Sequence, residues 1–290
     1  MNPADILTAI AVVGIWGLNF VVIKVGLQDL PPILFTALRF LFAAFPLVFF
    51  VRRPTIPWTL LAGYGLFQFA VQFTLLFSGM KLGLSAGLAS LVIQLQAFFT
   101  IGLAILLLGE RPRATQWIGA LIALAGMLLV AMHLEGHATV LGFLLVIAGG
   151  LSWAMANILT KKMHDVRPVP LVVWGSLLAT PPLLCASLLI EGPAVWMQTL
   201  HHAGWLSVGA VLFQSYPNTI LGFGVWSILM RKYPTATIAP FTLLVPVFGM
   251  LSATLLLDEP LQWWKIVAGV LVLGGLAFNQ FGGRLLRFVR

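Results

Sequence analysis

Apolar residues run along this chain in long unbroken stretches, with neither the strand alternation nor the single stripe of a surface helix. Between charged clusters and Pro/Gly breaks the pattern predicts ten helices, at about 5–24, 33–51, 59–80, 85–108, 115–132, 139–160, 169–190, 204–229, 235–257 and 263–282. Each is close to the roughly 20 residues that a helix needs to cross a bilayer. The fold class is therefore an all-α membrane protein with ten transmembrane helices. The first run starts at Ile6 with neither a basic leader nor a small-residue cleavage site before nine further runs, so it reads as a retained helix.

Composition agrees: 60% of residues are hydrophobic and 8% charged, and the mean hydropathy is +1.04. A soluble surface usually needs about a quarter charged residues. The net charge of +8 does not imply a nucleic-acid partner, because no segment is long enough to form a soluble basic domain. The one cysteine, Cys185, cannot form an internal disulfide. No Cys/His cluster has metal-ligand spacing, and no cofactor is expected.

The basic residues set an orientation. With both termini in the cytoplasm, twelve lie inside: Arg52, Arg53, Arg111, Arg113, Lys161, Lys162, Arg167, Arg231, Lys232, Arg284, Arg287 and Arg290. Three, Lys24, Lys81 and Lys265, lie outside, and Arg39 falls within the second span. In loops this short the bias predicts cytoplasmic termini. It also accounts for the basic excess, together with attraction of the C-terminal arginines to anionic headgroups.

The chain repeats itself. Trp16 and Lys24 recur as Trp153 and Lys161, and Pro31 as Pro168, all shifted by 137. Further on, Leu106–Leu108 and Glu110 recur as Leu255–Leu257 and Glu259, Gly126 as Gly275 and Ser78 as Ser227, all shifted by 149. These matches divide the chain at about 1–135 and 136–290. Five helices per half is an odd number, so the halves must run in opposite directions through the membrane. Inverted repeats place a ligand near the midplane between the halves and let them rock about it, which points to transport.

Polar groups inside the spans are candidate ligand contacts, because hydrocarbon makes them costly. Trp16 and Asn19 share a face of the first span, and Trp153 and Asn157 share a face of the sixth. Gln68 and Gln72 pair likewise in the third span, with Gln72 favoured, and Gln214 and Asn218 pair in the eighth. Gln94 and Gln96 add two amides in the fourth, but about 200° of α-helical rotation separates them, so only one is expected to face a cavity. Each amide could alternatively bond a neighbouring helix, and each Trp could belong to an interfacial belt. Arg39 can grip a substrate carboxylate or snorkel to the outer face, with snorkelling favoured by its position near the start of its span. Mid-span Pro217, Pro240 and Pro246 free carbonyls that could line a cavity. Glu110 and Glu259 read as interfacial residues beside Arg111 and Lys265.

Other classes find less support. The histidines at 133, 137, 164, 201 and 202 lie in loops or at span ends, without the acid/base constellation of an enzyme. Neither a charged ring nor a carbonyl filter marks a channel.

Several stretches resemble the EamA family of the drug/metabolite transporter superfamily. They are WGLNFVVIKVGL (16–27), LRF (38–40), GLASLVIQLQAFFT (87–100), GERP (109–112), SWAMANILTKK (152–162), APFTLLVPV (239–247) and LLLDE (255–259). QSYPNT (214–219) departs from the family pattern in a helix that faces the cavity in that fold. The resemblance implies a ten-helix basket in the bacterial inner membrane, acting without a catalytic site to export O-acetylserine, cysteine and related compounds. Family members that export threonine, homoserine or aromatic amino acids are the alternative. Multidrug relatives use an acidic residue in the first helix, where this chain offers Asn19 at depth and Asp5 only at the start.

Together these readings predict a monomeric exporter with a neutral cavity of amides and indoles. Amide donors would meet the substrate carboxylate and Trp faces its ammonium group. Small zwitterions should be preferred over arginine, lysine or glutamate. With no acidic group at mid-membrane, export is expected to follow the substrate gradient.

Overall fold

The computed structural model describes residues 1–111, 114–134, 137–163, 166–233 and 235–288. Arg113, His164 and Arg290 lie outside the described residues, as do the side chains of His137, Pro240, Arg284 and Arg287. Among the described residues all regular structure is helical: α1 (Pro3–Asp29), α2 (Pro32–Phe49), α3 (Trp58–Lys81), α4 (Ala86–Leu108), α5 (Ala114–Met132), α6 (His137–Lys161), α7 (Pro168–Ile190), α8 (Pro193–His202), α9 (205–232), α10 (235–257) and α11 (Trp263–Phe288).

Eight of these, α1 to α7 and α11, are long and apolar enough to cross a membrane, and the apolar part of α10, Phe241–Leu257, is shorter. The helix α9 stands apart because its middle, QSYPN, is polar. The short α8 falls in a stretch the hydropathy pattern leaves as a loop. Gly192, at φ 86°, turns the chain, Pro193 opens the helix, and Trp196 Nε1 donates to Ser187 Oγ at 2.8 Å. Large apolar side chains face outward, such as Leu121, Leu189 and Trp205, a surface suited to lipid.

The ends of the helices follow local chemistry. Asn2 caps α1 by accepting from Asp5 N, with Pro3 in the first turn, and Ser85 caps α4 by accepting from Leu88 N. Four helices tighten or widen along their length. α3 is a π-helix over Gly65–Val71 and α9 over Gln214–Leu221, 149 residues later. α4 passes through a 3-10 turn at Ile93–Leu95, and α10 through one at Ala239–Leu244. Such departures disturb the i→i−4 ladder and free backbone groups for other partners.

The main helix pairs are α1 with α10, α4 with α6, α3 with α6, α1 with α9, α2 with α7, and α5 with α11. Small residues permit the closest approaches. A Cβ added at Gly119 in α5 would lie 2.5 Å from Gly275 O in α11, and one at Gly79 in α3 would lie 2.5 Å from Gly142 O in α6.

Carboxylates tie one end of the bundle. Glu191 accepts from Ile33 N at 2.7 Å and Leu34 N at 2.9 Å, at the start of α2. Glu259 Oε1 accepts from Ala86 N at 2.8 Å and Oε2 from Gly87 N at 3.2 Å, at the start of α4. Both meet the positive end of a helix dipole. Lys81 donates to Leu27 O and Lys24 to Met80 O, at the C-terminal ends of α1 and α3, while Ser207 donates to Asp29. Glu259 is thus a helix cap, and Lys265 beside it donates from Nζ to Pro260 O. At the other end Glu110 pairs with Lys161 at 2.8 Å rather than with Arg111, and Lys232 pairs with Asp5 at 2.5 Å.

Candidate functional site: a polar cavity among the helices

A cavity of about 920 Å³ lies inside the bundle. Its wall contains Trp16 and Asn19 of α1, Arg39 of α2, Gln68 and Gln72 of α3, Gln94 and Gln96 of α4, Trp153 and Asn157 of α6, and Asn218 of α9. It continues past Thr100 and Ile101 to Gln116, Asn279 and Gln280. These lie toward the end where α4 finishes and α5 starts, opposite the carboxylate ties. Seven residues of the wall are amides that the hydropathy pattern singles out within apolar runs, and folding brings them together from five helices.

Trp16 belongs to the wall rather than to an interfacial belt. Its Nε1 donates to Asn218 O at 3.1 Å, and its ring packs at 5.6 Å from Phe223 and 5.2 Å from Trp226. In the π-helical stretch of α9 Gly222 N donates to Pro217 O and Thr219 O rather than to Asn218 O, the i−4 carbonyl, which accepts from Trp16 instead. Gln68 Nε2 donates to Gln72 Oε1 at 2.9 Å, so the two side chains act as one polar unit. Asn157 Nδ2 donates to Gln96 Oε1 at 2.9 Å and Thr100 Oγ1 at 3.0 Å, bridging α6 to α4.

Three expectations need correction. Gln94 and Gln96 both reach the wall, because the 3-10 turn at Ile93–Leu95 breaks the α-helical phase on which their separation depends. Gln214 does not line the cavity: it is fully buried where α9 packs on α1, with Nε2 3.4 Å from Asn19 O. Arg39 does not snorkel. It is 1% exposed and turned inward, with its guanidinium carbon 4.0 Å from the Phe73 ring centre. Its Nε and Nη2 donate to Thr219 Oγ1 at 3.3 and 3.1 Å. The reason is packing: α9 and α3 offer a hydroxyl and an aromatic face that sequence distance conceals.

The cavity is therefore not neutral. Among the described residues lining it Arg39 alone is ionisable, so the wall carries a positive charge. That removes the ground for excluding glutamate and strengthens the ground for excluding arginine and lysine. Gln116, Asn279, Gln280 and Thr242 also belong to the wall and were not singled out from the sequence. Asn279 and Gln280 carry a readable signal, since they are adjacent amides within the last apolar run.

The family description of EamA-like transporters matches residues 4–132 and again 140–280. The chain belongs to the EamA-like transporter family. An EamA-like transporter is a multi-pass membrane protein and not an enzyme. A Salmonella typhimurium protein named "Probable amino-acid metabolite efflux pump" is 45% identical, over 100% of this chain and 99% of its own. Its Escherichia coli namesake is 43% identical with the same coverage. An Escherichia coli protein named as an inner membrane transporter is 26% identical over 89% of this chain and 85% of its own. A solved crystal structure, 22% identical, superposes with a TM-score of 0.66 over 99% of both chains, a likeness of fold alone.

Proposed function

We propose that this transporter exports small amino-acid-like metabolites, with O-acetylserine and cysteine as leading substrates, from the cytoplasm across the bacterial inner membrane. The observation that carries this reading is the cavity: about 920 Å³, walled by amides and indoles, in a bundle whose helices are tied together by carboxylates at one end. The names of the two most similar relatives given above point the same way. A second reading, export of aromatic amino acids, is favoured by the size of the cavity and by its rings Trp16, Phe223 and Trp226. Threonine or homoserine export needs no different chemistry.

In this reading ten spans form two inverted halves, 1–135 and 136–290, in a monomer with both termini in the cytoplasm. Support comes from the family match repeated at 4–132 and 140–280, from π-helical stretches 149 residues apart, and from the reciprocal pairs α1 with α10 and α4 with α6. Alternating access then has a concrete form. The carboxylate ties lie on the outer side, and the cavity extends toward the cytoplasm. Adding 149 to Glu110, Ala86 and Gly87 gives Glu259, Thr235 and Ala236, so Glu110 is the counterpart of the outer tie. Glu110 is bound to Lys161 here, and in the outward-open state it leaves Lys161 to cap the start of α10 while Glu259 lets go of α4. Among the described residues the cavity wall includes no Asp, Glu or His, and export runs down the substrate gradient.

The test is release from cells. Overproducing cells loaded with labelled O-acetylserine, cysteine, threonine and phenylalanine should release at least one faster than cells making equal amounts of Asn19→Ala. Equal release of all four by both strains would reject the reading.

A further inference from the structure

Arg39 is matched on one edge only. Its plane rests on Phe73, and its Nε/Nη2 edge is taken by Thr219 Oγ1. Nη1 is buried without a hydrogen-bond partner, and among the described residues no carboxylate pairs with the guanidinium. A guanidinium can grip a carboxylate through two parallel N–H bonds along either edge. The Nη1/Nη2 edge is the one left open. A threonine hydroxyl accounts for a tether between α2 and α9, but it needs no positive charge, and burying an unpaired charge is costly.

The unmatched acceptors lie around the same π-helical stretch. Asn19 Oδ1 and Asn218 Oδ1 are buried without donors, although both residues line the cavity. Asn218 adjoins Thr219 in sequence, and α1 meets this stretch through Trp16 Nε1 to Asn218 O and Gln214 Nε2 to Asn19 O. Gln214 Oε1, in the same stretch, is also buried without a donor but lies off the cavity wall, so one unmatched donor edge and two unmatched acceptors that line the cavity flank a single segment of α9.

We infer that Arg39 anchors the carboxylate of the transported molecule and that the Asn19 and Asn218 side-chain oxygens receive its ammonium group. The substrate class is then an α-amino acid with both groups free, and the side chain lies toward the rings of Trp16, Phe223 and Trp226. This rests on the cavity being the substrate site. It reverses the roles expected from sequence, where amides were donors to the carboxylate. In this conformation the wall closes over the open edge, and the carboxylate reaches it as the side chains around Arg39 part.

The experiment measures binding, because esters and amines leak through bilayers. Purified full-length protein in detergent is titrated by its ligand-dependent melting shift with O-acetylserine, phenylalanine, their methyl esters, phenethylamine and N-acetylphenylalanine. The free acids should bind about 10- to 100-fold more tightly than the esters. Arg39→Gln should bring that ratio close to one, Arg39→Lys should keep part of it, and Thr219→Val should keep most of it. Equal binding of acids and esters by the wild type overturns the anchor. So does an Arg39→Gln variant that weakens both forms alike, which is the mark of a tether. If Arg39→Gln does not fold, the wild-type ratio and Arg39→Lys still decide. Tight binding of N-acetylphenylalanine with none of phenylalanine would uphold the anchor and reject the amino-acid reading. Binding of no carboxylate at all would overturn the anchor, leaving the release assay to judge transport.

Discussion

Replacing Glu259 by Gln should favour the outward-open state. The carboxylate accepts from Ala86 N at 2.8 Å and Gly87 N at 3.2 Å, where the dipole of α4 favours negative charge. A hydrogen bond to a charged group contributes about 1.5–3 kcal/mol. Glutamine keeps one acceptor oxygen and turns an NH2 group toward the second backbone N–H. Losing one bond and the charge, with some return from water because Glu259 is half-buried, costs the tied state about 2 kcal/mol. At 1.4 kcal/mol per tenfold, the outward-open population should rise roughly 30-fold. The assay places a single cysteine in the cavity wall, Ala97→Cys in a Cys185→Ser background, and follows its reaction with a membrane-impermeant maleimide added to the outer face of the membrane. The labelling rate should rise about as much as the population, and Glu110→Gln should not raise it. An unchanged rate in Glu259→Gln, with the protein folded, would refute the view that this carboxylate holds the outer end closed.

Asn19→Ala and Asn157→Ala should each lower transport while leaving folded protein in the membrane; Asn157→Ala also frees Gln96 and Thr100, and normal transport by both at equal expression would make the two amides packing groups. Gly119→Leu puts side-chain atoms where a Cβ alone would lie 2.5 Å from Gly275 O, so α5 and α11 must separate. An overpacking cost of about 1–3 kcal/mol should appear as a lower melting temperature in detergent. Reporters fused after Arg290 should be active when cytoplasmic and silent when periplasmic, as the positive-inside bias predicts.

Much of the architecture was legible because hydrocarbon punishes polar groups wherever they fall. That constraint marks the spans, and within them it marks Trp16, Asn19, Gln72, Trp153, Asn157 and Asn218, all of which fold into one wall. What was lost depended on exact helical phase or on distant partners. The 3-10 turn that brings Gln94 and Gln96 to the same cavity leaves no mark in hydropathy. The inward turn of Arg39 depends on Thr219, 180 positions away, and on Phe73, and sequence shows neither contact. Gln214 satisfies the same spacing rule as Asn218, but α1 covers it. The capping roles of Glu191 and Glu259 were hidden for a similar reason, since each serves a helix from the other half of the chain.

The central claim is that this protein moves amino-acid-like solutes through that cavity. It is tested most directly by counterflow in proteoliposomes of the purified protein, loaded with unlabelled O-acetylserine, cysteine, phenylalanine or arginine and given trace label outside, with and without a pH gradient at zero membrane potential. The account predicts transient accumulation of at least one of the first three, none of arginine, and no added uphill accumulation from the pH gradient. Absence of counterflow for every amino acid, or entry of arginine as fast as the others, would contradict it.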